Sequence, residues 1–455
     1  MTSPPPADTS LPIAPPIRRS RWHISKSVFA LLLLTVGTLQ LTMLDLKLSP
    51  QESGRPRNVL LITIDSLRAD RLGCYGHPQA HTPNLDALAA DGVRFDAAYA
   101  QASWTWPSVN SIMTSTYVTT HGAWSWNLEI SRLLKTLPSL LASKGYACEF
   151  ISAHSGLSGQ HALTRDMVPV INSSIAALSS AVSTAMTNSS QQRFFMWAHL
   201  METHHTAIEY DNGRFLGRAD YPARYDRGVA NADATVGAII RALRELGLYE
   251  QTLVIVTADH GEGLGDGSGG FEGHGFLVTE ELLRVPLIMV HAPAIPAGTI
   301  CKKLVEQVDI APTVCDAIDI ARAPTFEGHS LLPLLRGDVS DSQIVYSENV
   351  GYNESEPGGS NKRKDWKEIR TSARTHDWKL LRIEEPGDKV RYELYHISVD
   401  PEEKVDLSTK ENERLADMVS MLDAWRRRPR AVTSGQPRVL DEKQREDLKN
   451  LHYEI

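Results

Sequence analysis

Two acidic residues each follow a short run of apolar and β-branched residues in this chain of 455 residues. Val59–Ile64 leads directly into Asp65, and Leu253–Ala258 leads into Asp259, which is followed by His260. Such runs predict buried parallel strands, and open α/β sheets bind ligands beyond the carboxyl ends of their strands. Because two carboxylates and an imidazole would meet at one edge, the pattern indicates a shared metal site. The alternative is that each acid only caps a helix or begins a turn.

A hydroxyl side chain that could do chemistry lies between these acids in the sequence, at Thr105. Pro107 suits the first turn of a helix, so Thr105 is predicted to lie just before that helix's N-terminus. Unpaired backbone N–H groups and the helix dipole favour an anion at this position. The hydroxyl could therefore be a metal-activated nucleophile, or it could be an ordinary N-cap.

From about Asn58 to about Arg428 the chain resembles the sulfatase-like branch of the alkaline phosphatase superfamily. The matching segments are Asn58–Asp65, Leu67–Asp70, Tyr75–Gly76, Thr82–Asp86, Gly92–Phe95, Asp259–Glu262, Gly273–Gly275, Glu280–Ile288, Asp309–Thr313, Glu393–Tyr395 and Asp400–Pro401. The resemblance implies an α/β fold, namely an alkaline-phosphatase-like α/β/α sandwich with a small C-terminal antiparallel α+β subdomain.

The chain departs from the family's sulfatases at the position of their nucleophile. Those enzymes carry Cys or Ser, any residue, Pro, any residue and Arg, and they oxidise the Cys or Ser to formylglycine. Thr105 takes that position here and Val109 replaces the Arg. Oxidation of Thr would give a ketone and not an aldehyde. Thr at this position is similar to the nucleophile of the family's phosphodiesterases and its phosphoglycerol and phosphoethanolamine transferases, which pass through a phosphothreonine.

The resemblance also implies a site for one divalent metal ion. The implied ligands are Asp65, Thr105, Asp259 and His260. Ser66 stands where calcium-binding sulfatases have a second Asp, and carboxylates with an imidazole suit Mn²⁺ or Zn²⁺ better than Ca²⁺. By family position, His204 and His274 are predicted to bind the substrate anion. His199 and His205 are interpreted as surface or strand-end residues outside the site.

Together these features predict a metal-dependent, sulfatase-like hydrolase of phosphate or sulfate esters that forms a covalent phosphothreonine on Thr105. A phosphodiesterase or phosphatase is favoured over a formylglycine sulfatase. The alternatives are a phosphoglycerol- or phosphoethanolamine-type transferase and a non-catalytic binding homologue. The expected substrate is a small-molecule, lipid or glycan ester. The net charge of −8 gives no indication of a nucleic-acid partner.

Composition divides the chain into six predicted segments. They are a disordered cytoplasmic tail (1–26), a transmembrane signal anchor (27–46), a linker (47–57), the catalytic domain (58–337), a C-terminal subdomain (338–430) and a charged tail (431–455). The uncharged, Leu-rich run Val28–Leu44 follows basic residues, which predicts a membrane-anchored protein with its catalytic domain on the extracytoplasmic side. A cleaved signal peptide is the alternative, and in an exported protein Cys301 could pair with Cys315.

Overall fold

A computed structural model describes most of the chain beyond its first 53 residues. The described residues are 54–157, 162–171, 178–204, 210–211, 214–215, 220–337, 344–350, 368–385, 387–430 and 436–437, with 442, 445, 446 and 449. From Arg55 onward they belong to one unit. The predicted tail 1–26, the predicted anchor 27–46 and most of the charged tail 431–455 lie outside the described residues, as does His205.

Strands and helices alternate through the first three quarters of the described chain. The strands are β1 (Asn58–Ile64), β2 (Val93–Tyr99), β3 (Leu128–Glu129), β4 (Ala147–Ser152), β5 (Val168–Ile171), β6 (Phe194–Leu200), β7 (Tyr210–Asp211), β8 (Arg214–Phe215), β9 (Thr252–Ala258), β10 (Gly263–Leu264), β11 (Glu272–Gly273), β12 (Arg284–Val285), β13 (Leu287–Val290), β14 (Thr299–Glu306), β15 (Val345–Val350), β16 (Ile369–Arg374), β17 (Trp378–Glu385), β18 (Lys389–His396) and β19 (Gln436–Pro437). The helices are α1 (Pro83–Asp91), α2 (Thr105–Thr114), α3 (Val118–His121), α4 (Leu137–Ala142), α5 (Leu178–Ser189), α6 (Tyr221–Glu245), α7 (Glu280–Leu283), α8 (Ile310–Ala317), α9 (Leu332–Leu335) and α10 (Asn412–Arg426).

A nine-stranded mixed sheet forms the centre of the molecule. Strand β1 pairs in parallel with β6 on one side and with β9 on the other, and β4 and β5 continue the sheet beyond β6. Beyond β9 come the antiparallel strand β13 and then β2, which also pairs with β12 and β14. Every residue of β1, β6 and β9 is buried, as expected for parallel strands that are covered on both faces.

The C-terminal part of the chain forms a separate antiparallel sheet. Its strand order is β15-β16-β17-β18, and helix α10 packs on β16 and β17. Its own core comprises Tyr117, Val308, Ala373, Leu380, Leu394, Met418, Leu422 and Trp425. The predicted fold class, an α/β sandwich with a small antiparallel C-terminal subdomain, is confirmed.

We correct the prediction of a membrane-anchored protein. In the part of the chain that the structure describes, no helix is both long enough and apolar enough to span a bilayer. The longest of these helices, α6, has 25 residues, but charged residues such as Asp226, Arg227 and Arg241 interrupt it throughout. The cysteines all have free thiols, so Cys301 and Cys315 are not paired.

Candidate active site and metal centre

The sheet brings the candidate residues to one edge because β1, β2, β6 and β9 run in the same direction. Asp65 follows β1, Asp259 follows β9, and His199 is the penultimate residue of β6. The register places Thr63 beside both His199 and Thr257, so these strand ends are level. Strand β2 ends at the same edge, and the chain then passes to α2, which begins at Thr105. The expectation that the two acids end neighbouring strands is confirmed.

The Thr105 hydroxyl faces the two strand ends and not the backbone of its own helix. The N-cap position of α2 is Trp104, and no side chain caps the helix there. Thr105 Oγ1 lies 3.3 Å from Asp65 Oδ2 and 3.3 Å from His260 Nε2. All three side chains are fully buried. The interpretation of Thr105 as an ordinary N-cap is therefore not supported by its contacts.

The hydrogen bond that His260 makes to the backbone determines which of its ring nitrogens is protonated. His260 Nδ1 lies 2.8 Å from the carbonyl oxygen of Gly261, which can only accept, so Nδ1 carries the hydrogen. Nε2 is then unprotonated, and it lies 3.6 Å from Asp259 Oδ2 and 4.0 Å from Asp65 Oδ1. Burial, with the neighbouring His274, lowers the pKa of His260 to about 4, which keeps the ring neutral. A neutral imidazole held in this way is a suitable metal ligand.

Several buried polar atoms of the site lack hydrogen-bond partners, among them one on Asp259 and one on His199. Asp259 Oδ1 accepts from the backbone N–H groups of Ser66 and His260, at 3.0 and 2.8 Å, but Asp259 Oδ2 has no partner. His199 Nε2 also has none; it lies 3.3 Å from Asp65 Oδ2 without hydrogen-bond alignment. Asp65, His199 and Asp259 each offer a ligand atom, and these atoms all lie within 4.8 Å of one another. Unpaired buried atoms that converge in this way fit a metal ion.

The charges of the two carboxylates also fit a cation. Burial and, to a smaller extent, the neighbouring Asp65 together raise the pKa of Asp259 to about 7. Burial acts in the same direction on Asp65, but His204, His199 and His260 together bring the pKa of Asp65 well below its usual value. Two adjacent buried carboxylates repel each other when both are ionised, and a bound cation would offset that repulsion.

The interpretation of His199 as a residue outside the site is wrong. Strand β6 lies in the interior of the sheet, and His199 is fully buried. Its Nδ1 lies 2.8 Å from Thr63 Oγ1, which also accepts a hydrogen bond from Trp197. This pairing orients the ring, so that Nε2 faces Asp65. The sequence signal that could have identified it is a histidine in an otherwise apolar strand, one position before the strand's end.

The two histidines predicted to bind the substrate anion lie side by side next to His260. The ring centroids of His260 and His274 are 4.6 Å apart, and those of His274 and His204 are 5.7 Å apart. His274 Nδ1 lies 3.1 Å from Glu262 Oε2, a carboxylate that can only accept when ionised, and Glu262 is fully buried. Sequence reasoning assigned no role to Glu262, although it belongs to the motif that contains Asp259 and His260.

His154 is a further histidine at this edge that the sequence did not single out. It follows β4, and its ring centroid lies 6.1 Å from that of His199 and 6.5 Å from that of His204. Burial lowers the pKa of His154 to about 3, so the ring is neutral. Its position after a parallel strand is the same signal that identified Asp65 and Asp259.

Comparisons with known proteins identify the family. The sulfatase family profile matches residues 57–320, and the profile for the C-terminal region of N-sulphoglucosamine sulphohydrolase matches residues 271–426. Arylsulfatase A of Homo sapiens is 28% identical, over 62% of this chain and 68% of that protein. The N-acetylgalactosamine-6-sulfatase of Canis lupus familiaris is 24% identical, over 85% of this chain and 88% of that protein.

Solved structures show the same fold. A 2-O GAG sulfatase superposes with a TM-score of 0.67 and 19% identity, covering 82% of this chain and 92% of that chain. The phosphonate monoester hydrolase from Silicibacter pomeroyi superposes with a TM-score of 0.65 and 19% identity, covering 81% and 94%. Because the sulfatase profile spans more than half of the chain, the resemblance inferred from the sequence is confirmed: the chain belongs to the sulfatase family and is an enzyme that hydrolyses esters.

Proposed function

We propose that this enzyme is a metal-dependent ester hydrolase in which Thr105 is the nucleophile and the transferred group is phosphoryl. The position of Thr105 Oγ1, 3.3 Å from both Asp65 Oδ2 and His260 Nε2 at the start of a buried helix, carries the proposal. The curated relatives are named for sulfate esters. Thr105 is the reason for proposing phosphate esters here, since it cannot give the aldehyde that the family's sulfatases need.

The donor set supports one divalent metal ion. Asp65, Asp259, His260 and the newly located His199 would hold it, with Thr105 Oγ1 directed at the same point. Two imidazoles with two carboxylates favour Zn²⁺ or Mn²⁺ over Ca²⁺. When bound, the ion would lower the pKa of the Thr105 hydroxyl and offset negative charge on the substrate.

The remaining chemistry belongs to the side chains and the helix. The Thr105 hydroxyl donates its hydrogen to Asp65 Oδ2, and its oxygen attacks phosphorus on the side opposite the leaving alcohol. The bond from Oγ1 to phosphorus forms as the bond from phosphorus to the alcohol breaks. The backbone N–H groups of the first turn of α2 stabilise charge on the phosphoryl oxygens.

His274 is the proposed proton donor to the leaving alcohol. The contact between its Nδ1 and Glu262 orients the ring and stabilises the protonated form. His204, beside it, would contact the phosphoryl oxygens. A water molecule then gives one proton to His274 and attacks phosphorus, and the bond from phosphorus to Thr105 breaks as Asp65 returns its proton to the Thr105 oxygen.

The proposal is tested with three chromogenic esters: 4-nitrophenyl phosphate, bis(4-nitrophenyl) phosphate and 4-nitrophenyl sulfate. Each is assayed with Zn²⁺, Mn²⁺ and Ca²⁺ after the protein has been stripped of metal. We expect turnover of a phosphate ester with Zn²⁺ or Mn²⁺, and little with the sulfate ester. Turnover of the sulfate ester alone would contradict the phosphoryl assignment. Release of inorganic phosphate or of the free head group, with none transferred to an added acceptor alcohol, would separate the hydrolase from the transferase alternative.

A further inference from the structure

Strand β15, in the C-terminal sheet, lies against the segment that leads into the proposed nucleophile. The backbone N–H of Glu348 donates to the carbonyl of Gln101 at 2.8 Å, and Ser347 Oγ donates to the carbonyl of Ala100 at 2.6 Å. These contacts join the two parts of the molecule a few residues before Thr105. The C-terminal sheet is therefore hydrogen-bonded directly to the segment that leads to Thr105.

The next residue of β15, Asn349, contacts the loop that carries His274. Asn349 Nδ2 donates to the carbonyl oxygens of both Gly275 and Phe276, the second at 2.7 Å. Because both partners are carbonyl oxygens, only the amide nitrogen can make these contacts, which settles the orientation of the amide. Asn349 is 3% exposed, so water cannot substitute for the two bonds.

Gly275 joins this loop to the segment before Thr105. Its N–H donates to the carbonyl of Ser103 at 2.8 Å, and its φ of +92° favours glycine. Its carbonyl is held by Asn349 on the other side. The residue directly after His274 is thus fixed between the nucleophile's own segment and the C-terminal sheet. Arg370 of β16 is the strand partner of Asn349, and its guanidinium lies over the ring of Phe276, 4.4 Å from the ring centre.

We propose that Asn349 is a positioning residue: through Gly275 and Phe276 it holds the His274 imidazole at the correct distance from Thr105. The inference rests on the proposed function, in which His274 donates a proton to the leaving group. Proton transfer requires hydrogen-bond reach, and a displacement of about 1 Å can cost roughly 100-fold in rate. Loss of two buried hydrogen bonds to one loop is sufficient to allow such a displacement.

The test is a double-mutant cycle between Asn349→Ala and His274→Ala, measured on the ester that the wild type hydrolyses best. We expect Asn349→Ala alone to lower kcat by at least about tenfold with little change in KM. In the His274→Ala background, the same substitution should lower kcat by no more than about twofold, because the residue it positions is gone. Asn349→Ser, which keeps one donor, should give an intermediate loss, and it replaces the alanine variant if that variant does not fold.

The control is Thr252→Val, which removes a buried hydrogen bond of 2.8 Å to the carbonyl of Leu248 at the opposite end of β9. It should leave kcat within about twofold of the wild type. Equal losses of kcat from Asn349→Ala in both backgrounds would overturn the inference. Activity in a Thr105→Ala variant would instead overturn the proposed nucleophile, while the cycle would still report whether Asn349 acts through His274.

Discussion

Thr105 Oγ1 lies 3.3 Å from His260 Nε2, although the two residues are 155 positions apart in the chain. Because His260 carries its hydrogen on Nδ1, the nitrogen that faces the hydroxyl presents a lone pair. Asp65 Oδ2 lies at the same distance, 3.3 Å, from this hydroxyl. Only one hydrogen is available between these acceptors, so their convergence is electrostatically favourable only around a positive charge.

The first prediction concerns Thr105 itself. Thr105→Ala should lower kcat by roughly 10⁴-fold or more, because no nucleophile remains, and should change the free energy of unfolding by about 1 kcal/mol or less. Thr105→Ser should keep part of the activity. Mass spectrometry of acid-quenched wild-type enzyme should find a phosphoryl group on the peptide that contains Thr105.

Thr114→Ala is the matched control for Thr105→Ala, because Thr114 ends the same helix and donates to the carbonyl of Asn110 at 2.6 Å. It should keep kcat within about twofold of the wild-type value. An active Thr105→Ala variant would rule out the covalent mechanism and leave the fold assignment unaffected.

The second prediction concerns the metal ion. Asp259→Asn and His199→Ala should each lower the affinity for Zn²⁺ or Mn²⁺ at least about tenfold, because each removes a ligand atom from the same cluster. Elemental analysis of the purified protein after dialysis measures the stoichiometry. As a control, Asp233→Asn alters a buried acid that binds the backbone of Asn84 and Leu85, and it should keep the metal. Undiminished metal in Asp259→Asn would show that the ligands lie elsewhere.

The third prediction concerns the pair formed by Glu262 and His274. Glu262→Gln keeps the size of the side chain and removes its charge, so the protonated imidazole of His274 loses its partner. We expect kcat to fall by about 10- to 100-fold, with circular dichroism unchanged. Glu327→Gln, a carboxylate bound to Arg428 and to the backbone of Tyr117, should leave kcat unaltered. If Glu262→Gln matches the wild type, His274 is not oriented through this contact.

The fourth prediction concerns the dependence of stability on pH. Burial and, to a smaller extent, the neighbouring Asp309 together raise the pKa of Glu306 to about 8. Between its usual pKa of 4.5 and about 8, the folded state therefore holds a proton that the unfolded state has released. Bound protons favour the folded state at low pH, so this group's contribution to stability falls as the pH rises through that window.

Glu306→Gln tests this dependence, because glutamine can still accept from the Tyr346 N–H. The Tyr117 hydroxyl, which donates to Glu306 in the wild type, can accept from the glutamine amide instead. Urea unfolding of the wild type should show a free energy of unfolding that declines from pH 5 to pH 8. The decline should be smaller in Glu306→Gln, whereas Glu250→Gln, at an exposed turn, should follow the wild type. Identical slopes in wild type and Glu306→Gln would contradict the assignment.

The local pattern of the sequence determined the central strands and their ends. Val59–Ile64 and Leu253–Ala258 are apolar and rich in β-branched residues, a composition typical of a strand buried on both faces, and the structure places β1 and β9 there. Pro107 marked the helix that begins at Thr105. Asp65 and Asp259 could be expected to meet because parallel neighbouring strands end at the same edge. The predicted membrane anchor is corrected on a finding limited to the described residues, in which no helix is long and apolar enough to span a bilayer.

The tertiary structure alone decided which other side chains join these acids. His199 lies in a strand whose residues are all buried, so no alternation in its sequence indicates the face that reaches the site. Its place next to Asp65 depends on the pairing of β6 with β1. Asn349 contacts Gly275 across 74 positions of the chain. Contacts at such separations depend on strand register and on the packing of two sheets, and these are properties of the folded chain that local residue patterns do not encode.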